Sequence, residues 1–196
     1  NGRRTNNGGN ITHLETNLNY AFNRFVDIAS GASYRLSKTD QYNPFSKPLF
    51  ADNNIKSLFT SLFIRSNTGL QAEIGGRVND HSQYGSNFTY TLNPSYLIAN
   101  RYKLFVNVSS AYRVPSLYQL FSQFGNLNLE PETSVSYEAG LDLNFTDKLN
   151  FAFSYFKRNI DNVIDFGQVR PGAFGYINQN NQKDNGFELE LGFKPS

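Results

Sequence analysis

The chain has 196 residues, with 18 Lys plus Arg against 16 Asp plus Glu, and no Cys, Met or Trp. The missing Cys excludes a disulfide framework and a thiolate metal site, and near-balanced charge argues against the basic footprint of a nucleic-acid binder. No apolar run of about 18 residues exists, which excludes a transmembrane helix but leaves open transmembrane strands, each of about ten alternating residues.

The 12 Tyr and 18 Phe are the informative excess, since aromatic residues favour strands and membrane-interface girdles. A mean hydropathy of -0.50 suits a wall with one polar face. With no Met, and no apolar leader in NGRRTNNGGN, the chain is expected to be a processed or excised piece of a longer product.

Residues 1 to 10 are rich in Gly and Asn and predict an exposed loop. From Ile11 the pattern has period two: Leu14, Thr16, Leu18, Tyr20 and Phe22 share one face, and Glu15, Asn17, Asn19 and Ala21 the other. A reversal at Asn23-Arg24 leads into a second strand, 25–36, and the two form a hairpin. A long connection is predicted over 37–54, where Pro44 and Pro48 oppose a continuous ladder.

The same unit recurs as 55–66 with 70–79, then as 88–98 with 102–113, separated by a polar connection over 79–87. Pro94 predicts a bulge or an irregular edge in its strand. After a long polar and aromatic stretch, 134–145 and 149–158 form another pair, and a Gly-rich connection to Gly175 precedes a last strand ending in GFELELGF. Short turns and long connections alternate, as in an outer-membrane barrel, with the short turns expected on the periplasmic side.

Nine strands is an odd number, whereas bacterial single-chain barrels close with an even one, so the expectation is an open arc of a larger wall. A Lys or Arg on the lipid face near the midplane costs roughly 2–4 kcal/mol. Glu15, Asp27, Glu73, Arg77, Glu138, Asp142, Glu188 and Glu190 are therefore assigned to the lumen and their apolar neighbours to lipid. Phe59 and Phe63 fall on the lumen face, which predicts either a register slip or something apolar to pack against. The competing reading is a soluble sandwich, but strands of ten or more residues suit a membrane wall better.

The segment Tyr112-Arg113-Val114-Pro115-Ser116-Leu117, followed by Leu120, Gly125-Asn126, Leu129-Glu130-Pro131-Glu132-Thr133-Ser134 and Tyr137-Glu138-Ala139-Gly140, resembles the C-terminal barrel of TonB-dependent outer-membrane receptors. The cobalamin and siderophore branch is the nearest. Weaker matches run from Arg77 to Ser82 and from Gly186 to Leu191, while Asn128, Glu130 and Phe187 depart from the family pattern.

The resemblance implies an all-β, antiparallel, up-and-down transmembrane barrel, here partial, with about nine strands. It implies active uptake of a scarce small-molecule ligand, such as a metal chelate, across the outer membrane of a Gram-negative bacterium. It also implies contact with outer-membrane lipid, and TonB engaged through an N-terminal region and plug domain that this chain does not contain. The alternative is a passive porin or a structural or adhesive barrel.

Within the long stretch, Pro115-Ser116 predicts a turn or helix start, with Leu117, Leu120 and Phe121 forming an apolar stripe. Arg113, Pro115, Pro131 and Glu132 are assigned a structural role, with Arg113 expected to pair with Glu132 or Glu138. The candidate ligand contacts are Tyr42, Phe45, Tyr84, Tyr118, Phe121 and Phe124, with Phe50 and Phe174 beside them, because aromatics stack on flat or apolar ligands at low entropic cost. His13 and His81 have no partners at metal-ligand spacing, and no nucleophile or phosphate-loop motif occurs, so neither catalysis nor a resident metal or cofactor is expected.

Overall fold

A computed structural model describes residues 6–42, 48–146 and 148–195. Nine long strands, β1 (Asn6–Asn23), β2 (Val26–Tyr42), β3 (Leu49–Arg65), β4 (Leu70–His81), β5 (Gly85–Ile98), β6 (Tyr102–Arg113), β7 (Glu132–Thr146), β8 (Leu149–Asp161) and β11 (Gln182–Phe193), form one sheet in chain order. Every neighbouring pair is antiparallel, and β1 and β11 are the two edges, so the sheet is an unclosed arc. A short helix α1 (Leu117–Phe121) lies between β6 and β7, and a separate hairpin, β9 (Ile164–Arg170) with β10 (Ala173–Asn178), lies between β8 and β11.

The paired registers carry the predicted faces across the sheet. One face shows rows such as Tyr20, Ile28, Leu62, Ile74 and Leu92, and the other shows Asp27, Phe63, Glu73 and Asn93. Leu18, Leu58, Leu191 and Phe193 are each more than 60% exposed on the apolar face. The buried hydrophobic residues among those described are Leu117, Leu120, Leu129 and Ile164, all outside the nine-stranded sheet. A soluble sandwich buries its apolar face; this sheet presents it, as a wall against lipid does.

Several connections differ from their prediction. The ladder runs through most of 37–54, with Gln41 opposite Leu49, and the described Pro48 directly precedes β3; Pro44 lies outside the described residues. Strand β1 likewise starts at Asn6, with Gly8, Gly9 and Asn10 opposite Asp40, Thr39 and Lys38. Cross-strand bonding overrides weak local propensity here. The connection expected over 79–87 contracts to residues 82–84, because His81 Nδ1 accepts from the Gln83 and Tyr84 amides at 3.1 and 3.3 Å and closes a tight turn.

Pro94 causes a gap rather than a bulge. The β5–β6 ladder passes from Leu92–Val108 to Ser95–Phe105, three residues on each strand, so register is kept while the missing donor leaves an interruption. Phe59 also keeps register, opposite Gly31 and Arg77. Its ring lies across the glycine, where an added Cβ would sit 2.4 Å from Phe59 Cζ. Two further inner-face pairs repeat this: Phe105 over Gly140, at 2.5 Å, and Phe156 over Gly186, at 2.9 Å. Each phenylalanine covers backbone that a cross-strand glycine leaves bare, which accounts for an aromatic on the polar face without a slip.

A candidate ligand-facing loop unit

The 114–131 loop begins with a capping box. Ser116 Oγ accepts from the Gln119 amide at 3.2 Å, and Gln119 Oε1 accepts from the Ser116 amide at 2.9 Å, so the helix end is satisfied locally. The five-residue helix places Leu117 and Leu120 inward and packs against β2 and β3, on the far side of the arc from the strands that carry the loop. Ser33, Asn53, Ser57 and His81, all on the polar face of β2–β4, are buried at the same end of the sheet.

Residues 124–130 then run along the edge of β10. The Tyr176 amide donates to the Phe124 carbonyl at 3.0 Å, and Asn126 Nδ2 donates to the Tyr176 carbonyl at 3.1 Å. Asn178 makes the closing contacts: its Oδ1 accepts from the Glu130 amide at 2.8 Å, and its Nδ2 donates to the carbonyls of Glu130 and Asn162 at 2.9 and 2.7 Å. Leu120, Leu129 and Ile164 form a small core, with Phe121 and Tyr176 packed on it. Two loops far apart in sequence are thereby one folded body.

That body is tied to the wall at two points. Arg113 and Glu132, directly opposite in register, form a bidentate ion pair, and Glu132 Oε1 also accepts the Ile164 amide at 2.6 Å. Across the arc, Tyr84 Oη donates to the Leu129 carbonyl at 3.0 Å. Burial, then the neighbouring Tyr112, raises the Tyr84 phenol above its ordinary pKa, which keeps it a neutral donor.

The solvent side of the body is aromatic. Phe166 stands edge-on to Phe124 and Tyr176, with centroids 5.4 and 5.3 Å away, and stacks on Phe174 at 6.4 Å. Tyr118 meets Tyr176 edge-on at 6.2 Å. Phe174, Phe166 and Tyr118 remain more than 40% exposed, a surface able to take a flat or apolar group by stacking.

Of the predicted contacts, the structure brings Tyr118, Phe124 and Phe174 into this cluster. Phe121 packs on the small core, and Tyr84 holds the loop. Tyr42 and Phe50 are exposed at the ends of β2 and β3, on the outward register positions, apart from the cluster. Phe45 lies outside the described residues. Pro115 is fully buried, and Pro131 directly precedes β7. Glu138 does not pair with Arg113; it accepts instead from Asn107 Nδ2 at 3.0 Å.

Phe166, Tyr176 and Asn178 are missing from the sequence reading. The signal that could have found the first two is the alternation on either side of Pro171-Gly172, a hairpin signature. Among the described residues, no group of three or more His, Cys, Asp or Glu is placed to hold a metal ion.

Comparison with known proteins agrees with this architecture. The profile of the family described as "TonB dependent receptor-like, beta-barrel" matches residues 1–194. Among solved structures, the siderophore receptor PirA from Pseudomonas aeruginosa is 24% identical with a TM-score of 0.78, over 95% of this chain and 37% of that one. The ferric enterobactin receptor PfeA from Pseudomonas aeruginosa, in complex with enterobactin as its Q482A mutant, is 21% identical with a TM-score of 0.80, over 94% and 33%. The copper transporter OprC is 13% identical with a TM-score of 0.82, over 98% and 37%. The chain thus spans about a third of each. With the nine-stranded antiparallel arc, its polar inner face and the profile match along nearly its whole length, the chain belongs to the TonB-dependent receptor β-barrel family.

Proposed function

We propose that this chain forms part of the wall and the outer ligand-binding surface of an active importer in the outer membrane of a Gram-negative bacterium. In this reading the ligand is a scarce small molecule, such as a metal chelate, TonB supplies the energy through a region outside this chain, and neither catalysis nor a resident cofactor is involved. The observation that carries the ligand role is the exposed aromatic cluster of Tyr118, Phe124, Phe166 and Phe174 on a body anchored to both sides of the arc. Rigid anchoring lowers the ordering cost of binding, and aromatic faces give contact area. A siderophore receptor and a copper transporter among the similar folds make a ferric siderophore and a copper salt the first probes.

The test is energy-dependent uptake of those probes in cells producing the full-length protein, compared with F166A/F174A. Uptake that needs the proton gradient and falls in the variant, with the barrel still assembled in the membrane, supports the reading. Solute flux through protein-containing liposomes without energy would support a passive channel instead, and unchanged uptake in F166A/F174A would remove the aromatic cluster from the ligand's path.

A further inference from the structure

His81, at the end of β4, is 2% exposed, less than any other polar residue among those described. Its Nδ1 accepts both turn amides, from Gln83 at 3.1 Å and Tyr84 at 3.3 Å, so the ring proton sits on Nε2. That N–H is buried and has no hydrogen-bond partner. The ring packs against Tyr84, with centroids 5.2 Å apart, and Tyr84 Oη in turn holds the Leu129 carbonyl. One imidazole thus supports, through a single turn, the anchor that ties the loop body to the far side of the arc.

This support depends on a neutral ring. A proton on Nδ1 would face two amide donors in place of a lone pair, and the imidazolium would be a buried charge whose second N–H is unpaired. Burial pushes the His81 pKa below its ordinary value, against the opposing pull of Asp80 next to it on β4. The other groups around the ring give an imidazolium no partner. Opposite it, β3 presents Ile55 and β5 presents Gly85, and Arg35, beyond Ile55 on β2, is itself a cation. Helix α1 carries no charge, Tyr84 and Tyr112 are neutral in acid, Glu130 beyond Leu129 is exposed, and no described carboxylate forms an ion pair with His81.

We infer that His81 is an acid-released latch on the ligand-facing loop body: taking a proton from solvent, it withdraws the acceptor from the 82–84 turn, and Tyr84 lets go of Leu129. The release is local. Ser82 stays paired with β3, its amide donating to the Asn54 carbonyl at 3.0 Å and its Oγ accepting from the Asn54 amide at 3.1 Å. At the other anchor burial raises the Glu132 pKa, but Arg113 and the Ile164 amide outweigh it and hold the carboxyl below its usual value, so that tie survives milder acid. Because the folded His81 pKa is the lowered one, the latch is whole above about pH 6.5 and lost as pH falls through the folded value. Its effect on binding rests on the ligand role proposed above.

The test places a nitroxide on L127C, an exposed position near Leu129, in the full-length protein in liposomes without ligand. Its mobility is read by electron paramagnetic resonance from about pH 8 to about pH 4, across the ordinary His range. With His81 present, the ratio of mobile to anchored signal is expected to rise about tenfold per pH unit between the ordinary and the folded pKa. H81N should stay anchored throughout, because an Asn oxygen can accept the same two amides without titrating, as Asn23 Oδ1 does from Phe25 and Val26 at 2.8 and 3.0 Å. A signal that acid leaves unchanged would overturn the latch, as would H81N loosening in step with the His81 protein, which would assign the transition to a carboxylate. If H81N does not assemble, Y84F serves in its place: a loop already loose at about pH 8 and unmoved by acid supports the route through Tyr84, and acid loosening as large as with Tyr84 present overturns it. Mobility is measured without ligand, so the latch stands or falls separately from the uptake result.

Discussion

Asn178 and Glu130 are 48 residues apart, and the asparagine side chain both accepts from the backbone amide and donates to the backbone carbonyl of the glutamate. The same amide also reaches the carbonyl of Asn162. One side chain thus joins the β10 edge, the 124–130 segment and the start of the hairpin.

Asn178→Ala removes all three bonds while leaving the nine-stranded sheet untouched. The two bonds to Glu130 are exposed and the one to Asn162 part-buried; at about 0.5–1.5 kcal/mol for each bond lost, amide exchange over 162–181 should accelerate about tenfold. Hydrogen exchange read by mass spectrometry checks this, with unchanged exchange in β2–β4 as the internal control.

Glu132 and Arg113 are not equivalent halves of their pair. The Arg113 side chain is 54% exposed and Glu132 only 13%, and Glu132 alone also holds the Ile164 amide. Arg113→Ala should cost about 0.5–1 kcal/mol, as solvent screening discounts an exposed partner. Glu132→Ala should cost about 1–3 kcal/mol, because a backbone donor is orphaned as well. Denaturant midpoints of the two variants in detergent should fall in that order, and the reverse order would contradict the double role of Glu132.

Gly140→Val places a side chain where the Phe105 ring lies, with only 2.5 Å to Cζ at the Cβ. Overpacking of this kind costs about 1–3 kcal/mol. Adding Phe105→Ala should restore part of the loss, a coupling of about 0.5–3 kcal/mol in a double-mutant cycle. The fraction of heat-modifiable, folded barrel on a gel across a urea series measures it.

Tyr84→Phe deletes one hydrogen bond to Leu129 and should loosen 114–131 by about 1 kcal/mol at neutral pH. Burial, then Tyr112, raises the folded pKa of Tyr84. From neutral pH upward, its contribution is therefore whole below the ordinary tyrosine value of about 10 and lost as pH climbs through the higher folded value. Over that range limited proteolysis of the loop should show wild type converging on Tyr84→Phe only at the alkaline end.

The nine wall strands and their two faces were legible from the sequence by itself. Runs such as Val135 to Phe145 alternate strictly, and in a sheet with period two a register slip would move every charge onto the apolar side. The Arg113–Glu132 pair was also within reach, being two strand ends that meet at the base of a loop.

What only the tertiary structure decided is where the loops go. Fusion of 114–131 with the β9–β10 hairpin depends on Asn178, Tyr176 and Ile164, whose partners lie 32–50 residues away and leave no periodic trace. The lengths of β1, β2 and β3 belong to the same class, since weakly strand-forming residues such as Gly8 and Asn10 extend only because a partner strand supplies the ladder. Local pattern specifies which side of the wall a residue faces, and long-range hydrogen bonding decides which distant segments become one surface.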